Sequence, residues 1–171
     1  MWEALLTEFT LSASLPISVI VVRTLATVAF CGLVGLERES SRRAAGLRTH
    51  MLIGLAACIY CLLTLTLIYR ADEFGDTVQM DPLRLIEAVT GGVAFLAAGL
   101  IVFSQGKVRG LTTGASMWVA AAIGVACGLG EWVIAATTTV LTLTIIALIR
   151  QVEKQVGTYE QDGNYEEDDV K

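Results

Sequence analysis

Residues 51–69 read MLIGLAACIYCLLTLTLIY, nineteen consecutive positions without a charge. A helix of that length rises about 28 Å at 1.5 Å per residue, close to the roughly 30 Å hydrocarbon core of a bilayer. The stretch therefore reads as a membrane-crossing helix. Composition agrees, since 54% of the 171 residues are hydrophobic and only 17% are charged. Such a chain is too apolar, and too poor in Pro, for an ordinary soluble domain. The expected fold is all-α, a polytopic transmembrane helical bundle of about five crossings.

Immediately before this span lies GLERESSRRAAGLRTH, residues 35–50, a charged hinge holding four of the twelve Lys and Arg residues. Upstream of the hinge, a first crossing is expected over residues 15–36, with Pro16 tolerated in its first turn. Residues 1–14 contain no Lys or Arg, unlike a signal peptide, and place Trp2, Leu5, Leu6 and Phe9 on one helical stripe. They read as an interfacial amphipathic segment. Downstream, Asp81 and Pro82 form a helix start, an Asp cap followed by a Pro in the first turn. A third crossing runs from there to about residue 103. The loop SQGKVRG, residues 104–110, leads to a fourth crossing over 111–130, and a tight turn leads to a fifth over 132–149. Residues 150–171 form an acidic tail with Glu160, Asp162, Glu166, Glu167, Asp168 and Asp169, expected to be disordered and cytoplasmic. The transmembrane domain is thus residues 15–149.

Orientation follows from the Lys and Arg distribution in the short loops. Arg38, Arg42, Arg43 and Arg48 lie in the first hinge, Lys107 and Arg109 in the third loop, and Arg150 and Lys154 at the start of the tail. On the other side stand only Arg70 and Arg84. Five crossings with the N-terminus outside and the C-terminus inside satisfy the rule.

That topology gathers two constellations. On the cytoplasmic side, the second and fourth crossings both begin, so two helix N-termini present free amides and positive dipole ends. Around them Glu37, Arg38, Arg48, Thr49, His50, Lys107, Arg109, Thr112 and Thr113 make a rim suited in kind to an anionic lipid or a phosphate. The same basic residues also satisfy the positive-inside rule without binding anything. Toward the outer side, Arg23 and Glu87 are expected at similar depth, extended by Arg84 and Asp81 into an intramembrane charged layer. Such a layer is either structural or a route for a cation or proton, and Arg23 could instead snorkel to the near surface.

Small residues point to helix contacts. Gly91, Gly92 and Gly99 lie in the third crossing, while Ala120, Gly124 and Gly128 repeat at four-residue spacing in the fourth, a ridge for packing or for a homo-oligomer. The cysteines Cys31, Cys58, Cys61 and Cys127 all fall in apolar segments and read as small packing residues. In the fifth crossing, Thr137, Thr138, Thr139, Thr142 and Thr144 are expected to bond their own backbone.

Several function classes receive no support. There is one His and no nucleophile, HExxH or phosphate-loop motif, so the chain does not read as an enzyme and no cofactor is indicated. The net charge of −5 comes largely from the tail, and no contiguous basic face suits nucleic acid. The metal question stays open, with Glu37, Glu39, Asp81 and Glu87 as the carboxylates a magnesium ion would call on.

Five blocks, taken together, carry a resemblance: RTLATVAFCGLVGLERE (23–39), AGLRTHMLIGL (45–55), DPLR (81–84), GGVAFLAAGLI (91–101) and VRGLTTGASMWVAAAIGVACGLG (108–130). In this order they resemble the MgtC/SapB family, in a short form without its soluble C-terminal domain. The resemblance implies a multi-pass protein of the bacterial inner membrane that modulates magnesium or proton homeostasis, or a partner membrane complex such as ATP synthase. The alternative is a transporter or channel for a small cation or proton. It also implies that Arg23, Glu37, Arg38, Gly46, Arg48, Thr49, His50, Asp81, Arg84, Gly99, Arg109, Gly110, Thr112, Thr113 and Trp118 occupy motif positions. Two departures stand out: Ala94 and Ala97 replace glycines usual in the third crossing, and Ala88 stands where a Gln is usual.

Overall fold

In a computed structural model, the described residues are 2, 15–41, 43–70, 81–104 and 107–156. They form five long helices: α1 (Ile17–Ser40), α2 (Leu47–Tyr69), α3 (Leu83–Leu100), α4 (Leu111–Leu129) and α5 (Trp132–Val156). Each is long and apolar enough to cross a membrane. Between α3 and α4, β1 (Val102–Ser104) and β2 (Lys107–Arg109) pair antiparallel, with Val102 opposite Arg109. The segment expected as a plain loop is therefore a small ribbon, and the third crossing stops at Leu100. At the other end of the chain, α5 runs through Arg150 to Val156, so the expected tail loses its first residues to the helix. The rest of the expected tail, and all of the interfacial segment but Trp2, lie outside the described residues.

Helix α4 is the axis of the bundle. Of its membrane-length window 61% is buried, against 6% for α3. It packs on all four other helices, most extensively on α2, and α2 packs in turn on α1. The physical reason is the ridge of small residues. In a bilayer, helices gain little from excluding water, so close backbone approach and dispersion contacts must hold them together. A Cβ on Gly124 would run into the Gly54 carbonyl of α2, and one on Gly128 would stand 2.7 Å from the Cys61 Cβ. The cysteines fill the same seam: all four are free and buried, and the Cys31 thiol donates to the Ala120 carbonyl at 3.4 Å.

The outward faces are apolar, with Leu25, Leu33, Phe95 and Val133 exposed, as lipid contact requires. Three of the α5 threonines donate to carbonyls one turn back, Thr139 to Ala135, Thr142 to Thr138 and Thr144 to Val140. The α4–α5 turn is a Schellman motif. Gly130 takes φ 84°, and the Glu131 and Gly130 amides donate to the Ala126 and Cys127 carbonyls at 2.8 and 3.0 Å.

Candidate functional site

The C-terminal end of α1, the N-terminal ends of α2 and α4, and Arg150 of α5 meet at the hinge. Glu39, in the last turn of α1, starts the assembly: its carboxylate accepts the Leu47 amide at 3.0 Å. That carboxylate neutralises one free donor at the start of α2 and adds negative charge where the helix dipole favours it. A Cβ on Gly46 would overlap the Glu39 carboxylate, so a larger residue there would push this cap aside. The chain then turns into α2 with His50 aimed inward.

His50 is fully buried, and Arg38, Thr113 and Ser116 are each less than 5% exposed. The imidazole Nδ1 lies 2.8 Å from the Gly46 carbonyl oxygen, which can only accept, so this nitrogen carries the proton. Its Nε2 lies 3.0 Å from the Ser116 hydroxyl, and that hydroxyl lies 2.8 Å from the Thr113 carbonyl oxygen. In a neutral ring, one hydroxyl hydrogen thus serves two acceptors. Arg38 reaches the same helix turn, its Nη2 donating to Thr113 Oγ1 at 3.5 Å.

Glu37 closes the cluster on the α5 side. Its Oε1 accepts from the Ser41 hydroxyl at 3.1 Å and pairs with Arg150 Nη1 at 3.8 Å. Its Oε2 is buried and has no hydrogen-bond partner among the described residues. Four helices are therefore tied at one end by bonded polar side chains.

The expected rim divides into parts. Glu37, Arg38, His50 and Thr113 converge in the core of the cluster. Arg48, Arg109 and Thr112 are exposed, Thr49 is half-buried, and Lys107 belongs to β2. Ser116 and Arg150 are functional candidates that the sequence reading missed. Ser116 was signalled by its position one turn after Thr113, and Arg150 was obscured by the acidic residues that follow it.

The charged layer is arranged differently from the expected one. Arg23 donates from Nη1 to the Gly128 carbonyl at 2.6 Å. It lies across the C-terminal end of α4, where a cation meets free carbonyls and the negative end of the dipole. Glu87 is on an exposed face of α3. Asp81 caps α3 by accepting the Leu83 amide at 2.9 Å, and with Arg84 it borders a cleft between α2 and α3. Gly91, Gly92 and Gly99 have no other group within 4 Å of a would-be Cβ, whereas the Ala120, Gly124 and Gly128 ridge is taken up inside the chain. Among the described residues, no three of His, Cys, Asp and Glu are grouped to hold a metal ion.

A family model described as the MgtC family matches residues 24–155. Over 134 residues the chain is 35% identical to "Putative magnesium transporter YhiD" of Escherichia coli (strain K12), covering 77% of this chain and 61% of that protein. Over 137 residues it is 33% identical to "Protein MgtC" of Salmonella typhimurium (strain LT2), covering 80% and 55%. With "Protein MgtC" of Brucella abortus (strain 2308) it shares 38% identity over 120 residues, covering 70% and 46%. The matched part spans less than two thirds of each of these relatives. No solved structure matches the chain.

Proposed function

The chain belongs to the MgtC family, and from that premise we propose that it serves magnesium homeostasis as a multi-pass protein of the bacterial inner membrane, acting on a partner membrane complex. The hinge-end cluster is the part of the molecule that acts. One observation carries this: Arg38, His50, Thr113 and Ser116 are buried together where four helices end, at a cost in desolvation that lipid-facing packing alone does not demand. Bonded to one another, they hold the first turns of α2 and α4 as a rigid platform, on which the exposed Arg48, Arg109 and Thr112 face the aqueous side. By the positive-inside count that side is the cytoplasm. The partner is then a complex with an exposed acidic or phosphate-bearing surface, such as ATP synthase, and the chain acts as a modulator, in the monomeric or homo-oligomeric state.

Transport is the second reading. It is favoured by the name of the YhiD relative and by the placement of Asp81 and Arg84 at the mouth of the α2–α3 cleft. Purified protein in proteoliposomes, given a magnesium or proton gradient, separates the two. The modulator reading expects no flux above empty vesicles. Flux that Asp81→Asn or Glu87→Gln abolishes would replace it with transport.

A further inference from the structure

Helix α3 is held to the bundle through α4, with Val93 as its one buried side chain and Val89 and Leu100 packed beside it, and it touches α2 only sparsely. On its α2 side runs a cleft of about 870 Å³, lined by Tyr60, Leu63, Ala88 and Gly92 among others, with Asp81 and Arg84 at one end. A second hollow, of about 390 Å³, opens toward the hinge and is bordered by Arg48 and Thr49; Ile53 and Leu96 line both spaces. The two form one apolar path along α3, with an arginine at each end. Among the described residues, neither arginine has a hydrogen-bond or ion-pair partner for its side chain.

We propose that this path seats an anionic phospholipid, its phosphate on Arg48 and Thr49 and an acyl chain lying between α2 and α3 past Gly92. Tyr60, Leu63 and Leu67 of its lining are exposed, so in a bilayer the cleft would open sideways onto the hydrocarbon. Left empty, its lining would forfeit dispersion contacts, and acyl chains are the matter at hand to restore them. Its volume is that of pockets that enclose most of a small ligand. At the hinge end, the exposed Arg48 guanidinium is a fork for two phosphate oxygens, and the Thr49 hydroxyl adds a donor. A zwitterionic headgroup would bring a cation against Arg48, so the site discriminates in favour of anionic lipid. Binding here bridges α2 and α3, which otherwise touch only sparsely, and so fixes the α2 side of α3 in the bundle.

The test uses the full chain in detergent micelles containing equal amounts of phosphatidylglycerol and phosphatidylcholine, with retained lipid read by native mass spectrometry. The wild type is expected to retain phosphatidylglycerol several-fold over phosphatidylcholine. Arg48→Ala should erase that preference. Gly92→Leu, which meets nothing within 4 Å at its Cβ, and Ala88→Phe should both expel the lipid while helicity and elution volume stay unchanged; Leu25→Ala, on a lipid-facing surface, should change nothing. Equal retention of the two lipids by the wild type would overturn the proposal. So would full retention in both cleft-filling variants, or a dimer that Gly92→Leu splits into monomers, which would put a second copy of the chain in the cleft.

Discussion

The Nε2 of His50 lies 3.0 Å from the Ser116 hydroxyl and its Nδ1 lies 2.8 Å from the Gly46 carbonyl, so one fully buried ring joins the starts of α2 and α4. Removing it leaves polar groups buried without their partner. His50→Ala should therefore destabilise the protein by about 1–3 kcal/mol for each group orphaned, read as a lower melting temperature in detergent. Ser116→Ala should cost less, because the ring keeps its bond to Gly46. Equal stability of wild type and His50→Ala would show that the ring bears no structural burden.

Glu39 and Gly46 form a second coupled pair. The carboxylate that accepts the Leu47 amide occupies the space into which an alanine Cβ at Gly46 would project. Gly46→Ala should displace the cap and cost about 1 kcal/mol or more. Glu39→Ala should cost a similar amount. The double variant should be less destabilised than the sum, since the collision disappears with the carboxylate. Simple additivity in a double-mutant cycle would mean that the two residues act independently.

Glycines of similar appearance in the sequence should respond in opposite ways. Gly124→Leu drives a side chain into the Gly54 backbone at the tightest seam of the bundle, whereas at Gly91 and Gly99 the first added carbon meets no neighbouring group within 4 Å. The first should abolish accumulation in the membrane fraction, and the other two should accumulate as the wild type does. Comparable loss at Gly91 or Gly99 would place a second chain against α3.

Arg23 tests the end of the bundle opposite the hinge. Its guanidinium caps the Gly128 carbonyl, so Arg23→Ala should lower the melting temperature and Glu87→Ala should not. The double variant should match Arg23→Ala. Recovery in the double variant would restore the ion pair that the sequence reading expected between these residues.

These contrasts mark what could be read from the residues alone. The five crossings were legible because long apolar stretches are dictated by bilayer thickness, and the start at Leu111 followed from the loop chemistry before it, whereas α2 begins at Leu47, four residues before the uncharged run that marked its crossing. The extension of α5 to Val156 was not, because helical hydrogen bonding continues past the apolar run that signals it. Arg23 was recognised as a charge needing a partner, but its partner is a backbone carbonyl, and no residue type advertises a free carbonyl at a helix end. For the same reason the hinge-end cluster was half visible. Glu37, Arg38, His50 and Thr113 stand out by charge or type, whereas Ser116 matters only through the helical turn that sets it against the imidazole.

The most direct test of the hinge-end cluster as the acting part is growth at limiting magnesium in a bacterium lacking its own family member, complemented with this chain or its variants at matched membrane levels. Wild type and Glu87→Gln should restore growth, while Arg38→Gln, and Arg48→Ala combined with Arg109→Ala, should fail although present and folded in the membrane. Full growth with both hinge-end variants, or loss of growth with Glu87→Gln accompanied by loss of magnesium flux, would contradict the account.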